Sequence, residues 1–150
     1  MPAPAAAAFE AFHNHSTRIS WDTLLSVAYV EGGGSHPYVG AITVNQGKGW
    51  KRLLGMQTRF VSYDPPRAAA AVMVAPTGLL HSWGASMRHR DLSDGTSQLI
   101  YTFNIKMRPR CLGSLFDPLM ARIFEWETRR RFRAMAAYLQ RPSPPSRLDA

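Results

Sequence analysis

Two long runs near the middle of the chain alternate side chains with a period of two, and a tight turn joins them. In His81 to Asp91, His81, Trp83, Ala85, Met87 and His89 fall on one face, and Ser82, Gly84, Ser86, Arg88 and Arg90 on the other. In Ser97 to Met107, Leu99, Tyr101, Phe103, Ile105 and Met107 share a face opposite Gln98, Thr102, Asn104 and Lys106, with Ile100 breaking the polar row. That period belongs to a strand with one face buried. Asp94-Gly95 between the runs is a hairpin signal, because glycine enters the positive-φ region such turns require. The chain must therefore fold around an antiparallel sheet whose apolar face needs a cover.

Further strands are expected upstream. Tyr38 to Asn45, Trp50 to Leu54, Gln57 to Tyr63 and Ala68 to Ala75 read as strands, with Gly47-Lys48-Gly49 as a turn. Asp64-Pro65-Pro66-Arg67 is a stop, since two prolines remove two ladder donors. Phe9 to His15 reads as a first strand, followed by a short helix over Ile19 to Leu25 capped by Ser16 or Ser20. Gly32-Gly33-Gly34-Ser35 is a flexible spot.

The cover is a long terminal helix from about Asp117, with Pro118 in its first turn, to about Leu139. Met120, Phe124, Thr128, Met135 and Leu139 make one apolar stripe at helical spacing. Leu119, Ile123 and Trp126 make a second in its N-terminal half, so that half is expected to be covered on two sides. The fold class that follows is α+β, a seven-stranded curved antiparallel sheet around the C-terminal helix. Residues 1–8 are expected to be a flexible N-terminus, 9–140 the domain, and 141–150 a proline-rich mobile tail.

Composition excludes several classes. One cysteine, Cys111, leaves no internal disulfide, cysteine-rich zinc site or iron–sulfur centre, and a reduced, cytoplasmic setting is expected. The alanine-rich start carries no basic residue and is too short for a signal-peptide core. No window approaches the roughly 18 apolar residues of a membrane span. His13 and His15, or His81 and His89, share faces but form no three-ligand set, so no metal and no cofactor is expected. The net charge is +8, with 15 Arg against 3 Lys. Such a balance suits nucleic acid or another acidic partner, and Arg129-Arg130-Arg131 with Arg133 is the one cluster.

In this order the motifs resemble the SRPBCC superfamily, also called START-like or polyketide cyclase/dehydrase-like, with its helix-grip fold. The carriers are Asp64-Pro65-Pro66-Arg67 ending a mid-chain strand, Asp94-Gly95-Thr96-Ser97 opening the last strand, and the helix ending Arg131-Phe132-Arg133-Ala134-Met135-Ala136-Ala137-Tyr138-Leu139. Gly47-Lys48-Gly49 is similar to the glycine turn of the pollen-allergen branch. The resemblance runs from about Phe9 to Leu139. The family's second short helix has no counterpart in this reading, and Gly32-Gly33-Gly34 stands in its place.

The resemblance implies a hydrophobic ligand cavity between sheet and helix, with no particular activity attached. Trp83, Met87, Tyr101, Phe103, Met120 and Phe124 are the expected ligand-binding side chains. Arg131 is the expected cation for a ligand carboxylate or phenolate, unless it reaches the rim or pairs with Glu127. A polyketide cyclase/dehydratase would use the same space, with Tyr101, His81 or Arg131 polarising a carbonyl. A ribosome- or RNA-associated protein is the third reading, and a homodimer is left open. Binding of a small lipid-, quinone- or polyketide-like molecule is the reading preferred on sequence.

Overall fold

A computed structural model describes residues 1–109, 111 and 113–141. Helices α1 (Ala5–His13) and α2 (His15–Arg18) are followed by strands β1 (Leu25–Val30) and β2 (Ile42–Gly47) and a 3-10 helix (Gly49–Leu54). Strands β3 (Met56–Asp64), β4 (Ala68–Met73), β5 (Leu80–Asp91) and β6 (Ser97–Met107) lead to helix α3 (Gly113–Leu139). The six strands form one antiparallel meander in sequence order. β5 and β6 pair as their alternation predicts, with Met87 opposite Tyr101 and Ala85 opposite Phe103. Gly95 makes the turn at φ 76.

The sheet has six strands rather than seven, because three segments near the N-terminus differ from the sequence reading. Phe9 to His15 is helical: the alanines from Ala5 to Ala8 are strong helix formers, and Ala5, Ala8, Phe9 and Phe12 bury one face. Seven residues with Phe9, Ala11, His13 and His15 also fit a period of two, so alternation alone misleads there. Residues 1–8 accordingly belong to the packed body. The Asp91 carboxylate accepts the Ala5 N–H at 2.6 Å, and Met1 exchanges backbone hydrogen bonds with Ser97.

The expected helix over Ile19 to Leu25 is replaced by α2, one turn earlier. Asn14 caps it by accepting the Ser16 N–H. This is the second short helix, placed well before the glycine run. Leu25 opens β1, a strand missing from the sequence reading. Trp50 to Leu54 forms a 3-10 helix instead of a strand, folded back so closely that a Cβ at Gly47 would collide with the Lys51 carbonyl. Residues 142–150, most of the expected tail, lie outside the described residues.

Helix α3 starts about one turn before Asp117. Asp117 ties it to the sheet by accepting the Met107 N–H at 2.7 Å. The stripe Phe124, Thr128 and Met135 is buried as its spacing predicts. The second stripe is not covered: Leu119 and Trp126 are exposed, so the N-terminal half of the helix packs on one side only. Met135 is fully enclosed by Ala11, Phe12, Trp21 and Met87, which makes its cluster the junction of α1, α3 and the sheet. Met135→Ala is expected to cost about 2–5 kcal/mol of stability, measured by urea denaturation, from lost transfer energy and the void left behind.

Candidate functional site

The concave face of the sheet carries a gap that originates in side-chain size. One row across the strands reads Phe60, Ala71, Ala85, Phe103, each opposite the next in register. Two alanines stand between two phenylalanines, so the floor drops by several carbons between tall walls. Ala69, opposite Met87, widens the low region. Above this floor lies a cavity of about 80 Å³. That is room for about five waters or one small ring system. Interiors are otherwise close-packed, and a void this size is an exception among side chains that fill space.

Phe12, Leu24, Leu25, Met56, Phe60, Trp83, Met87 and Phe124 supply apolar wall. Thr43, Asn45, Thr58, Tyr101 and Arg131 add polar atoms. The Thr43 and Thr58 hydroxyls satisfy each other at 2.8 Å. Trp83 Nε1 and Asn45 Oδ1 are buried with no hydrogen-bond partner among the described residues. A donor and an acceptor thus sit unpaired in the lining of the cavity, where an unmade hydrogen bond is costly.

Of the seven side chains expected from sequence, five line the cavity: Trp83, Met87, Tyr101, Phe124 and Arg131. Phe103 packs instead against Phe124, with ring centroids 5.2 Å apart, and Met120 fills space near Leu80, Ile105 and Leu24. His81 is not among the lining residues. His89 and His13 pack with Phe9 beside the sheet, His89 edge-on to the Phe9 ring. Among the described residues no three His, Cys, Asp or Glu side chains are placed to share a metal ion.

The charged end of the cavity is built from three elements. Arg131 on α3 grips Asp22 with two bonds, Nε to Oδ1 at 2.9 Å and a terminal nitrogen to Oδ2 at 2.7 Å. Arg18 at the end of α2 donates its Nε to Oδ2 at 3.1 Å, and the Leu24 N–H donates to Oδ1 at 3.0 Å. All three charged side chains are buried. The pairing of Arg131 with Glu127 considered on sequence does not form, because Glu127 accepts from Lys51 Nζ at 2.9 Å. Arg131 therefore reaches neither rim nor solvent.

Sequence reasoning missed Arg18 and Asp22. Their i,i+4 spacing was visible as a helical pair, but nothing in the sequence marked the pair as buried beside a residue 109 positions away. The electrostatics follow from the count of two cations and one anion. Burial pushes the Asp22 carboxyl up, yet Arg131 and Arg18 outweigh it and hold its pKa near about 2. Burial and repulsion from Arg131 bring Arg18 down to about 10 despite Asp22, while Asp22 keeps Arg131 raised against the same burial. The Arg18 guanidinium lies 4.0 Å from the Phe12 ring centroid, an aromatic face that offsets part of its lost hydration. Burial raises the Tyr101 phenol against the pull of both arginines, so at neutral pH it is a hydrogen-bond donor.

Comparisons with solved structures agree with this architecture at low identity. Ara h 8.0201 superposes with a TM-score of 0.68 at 10% identity, over 92% of this chain and 90% of that one. CV1439 from Chromobacterium violaceum gives 0.64 at 12% identity, over 95% and 93%. SA2116 from Staphylococcus aureus, a protein of unknown function, gives 0.62 at 9%, over 93% and 91%. At such identities the likeness is one of fold. No curated protein matches the sequence. The profile described as "Polyketide cyclase / dehydrase and lipid transport" matches residues 1–140, from the first helix to the end of the last, and the chain belongs to that family.

Proposed function

We infer that this chain binds a small, apolar, ring-containing molecule between the sheet and α3. The observation that carries this reading is the lowered floor at Ala71 and Ala85 beneath aromatic walls, where two lining residues, Trp83 and Asn45, keep a buried N–H and a buried carbonyl without partners among the described residues. Apolar cavities with a few placed polar groups are the usual form of a small-molecule site. The family description, which couples cyclase and dehydrase chemistry with lipid transport, is consistent with guests of that kind.

Native mass spectrometry of freshly purified protein, compared with an Ala85→Phe variant, tests it. The phenyl ring fills the floor, so the variant should fold and lose any small-molecule adduct carried by the wild type. It should also lose at least about tenfold in affinity for 2-naphthamide, read by titration calorimetry. Equal affinity in the two proteins would place binding elsewhere.

One observation favours a second, catalytic reading. Tyr101 as a donor and Arg18 and Arg131 as cations meet the cavity at one end, an arrangement able to polarise a carbonyl and stabilise an enolate. A cyclase or dehydratase would then lose turnover in Tyr101→Phe while retaining substrate binding. The nucleic-acid reading has no such support, since Arg131, one of the four clustered arginines, is buried in the Asp22 pair.

A further inference from the structure

The charged end of the cavity is unbalanced. Arg131 uses both carboxylate oxygens of Asp22, and Arg18 shares only one of them through Nε. The terminal nitrogens of Arg18 donate to no described residue, although the side chain is buried and lines the cavity. The neighbouring His13 supplies no anion, since an imidazole is neutral or cationic; burial keeps this one neutral, with its Nδ1–H on the Phe9 carbonyl. Glu127 is engaged by Lys51. One positive charge is thus held at an apolar cavity without an anion of its own, at a cost that a bound anion would offset.

The geometry points to an anionic ligand: a ring-bearing molecule with one carboxylate or phenolate, its body above Ala71 and Ala85 and its negative oxygens on the terminal nitrogens of Arg18. This rests on the binding reading above and names the class of guest. A guanidinium with free N–H groups on one edge matches a carboxylate in a fork, and such charge-assisted bonds are stronger than neutral ones. Phe12 under the Arg18 guanidinium holds its plane. The Tyr101 hydroxyl, which feels all three charges, adds a neutral donor. Asp22 and Arg131 act as positioning residues: they fix Arg18 Nε and leave its outer edge open.

The test compares 2-naphthoate with its neutral isostere 2-naphthamide at pH 7, by titration calorimetry against wild type, Arg18→Met and Arg18→Lys. Wild type should bind the carboxylate at least about tenfold more tightly than the amide. Arg18→Met keeps the neutral Asp22–Arg131 pair, and should lose that preference, binding the carboxylate and the amide within about twofold of each other. Arg18→Lys should keep part of the preference.

If wild type binds the amide as well as the carboxylate, the anion assignment is overturned and the binding reading stands. If neither compound binds wild type, both readings fall. The wild-type comparison needs no variant, so a misfolded Arg18→Met would not protect the proposal.

Discussion

Replacing Asp22 with alanine is expected to lower the free energy of unfolding by about 3–5 kcal/mol. The carboxylate is fully enclosed and accepts four hydrogen bonds, from Arg131 twice, from Arg18, and from the Leu24 N–H. Its removal leaves two guanidiniums facing each other in a space that water reaches poorly, so the cost comes from uncompensated cations more than from lost attraction. Urea denaturation at pH 7 measures it, with an unchanged m-value showing that the unfolded reference is the same. A double variant, Asp22→Ala with Arg131→Met, removes one cation together with the anion. It should be less destabilised than the sum of the singles, because the three groups form one network. A loss below about 1 kcal/mol for Asp22→Ala would mean that the two arginines relax to solvent.

The second large effect is a loss of stability on mild acidification. Burial lowers His15 to about 4, against the pull of its bond to the His13 carbonyl. Burial likewise brings His89 to about 4 and holds His13 well below its ordinary value. These rings are neutral in the fold and take up protons readily once unfolded. A group whose folded pKa is depressed contributes stability that is whole above its unfolded value, near 6.5, and is lost as pH falls toward the folded value. The window is therefore roughly pH 6.5 to 4. For His15 alone the span corresponds to roughly 3 kcal/mol.

Asp22 follows the same sign in a separate window. Its carboxyl is depressed to about 2, so its share fades only from about pH 4 downward. Urea midpoints at pH 7, 6, 5 and 4 should fall steadily, and His15→Asn should flatten part of that slope. A midpoint that stays level from pH 7 to 5 would contradict the burial of these histidines.

The long periodic elements were legible in the sequence for a simple reason. β5 and β6 have eleven or more residues to display their period, and α3 has over five turns, so tertiary packing had only to accept what pattern already favoured. The first thirty residues were not legible. Phe9, Ala11, His13 and His15 fit two periods at once, and Leu25–Val30 alternates too weakly to stand apart.

The candidate site divides in the same way. Trp83, Met87, Tyr101 and Phe124 follow from which face of a strand or helix is buried. Arg18 and Asp22 do not, because a buried ion pair is defined by its long-range partner and a surface one has the same local spacing. The alanines of β4 were read as strand, correctly, yet their small size acquires meaning only beside Phe60 and Phe103 in register.

The two determinants of what this cavity can accept lie on different parts of the chain. Depth is fixed by Ala71 and Ala85 on the sheet, and polarity by Arg18, Asp22 and Arg131 on or beside the helices. A change of one methyl group at either strand position would alter the size of an admissible guest and leave the ionic end untouched. Substitutions at the ionic end would alter its charge and leave the size unchanged. Shape and charge preference in this scaffold can therefore drift separately, each through single replacements.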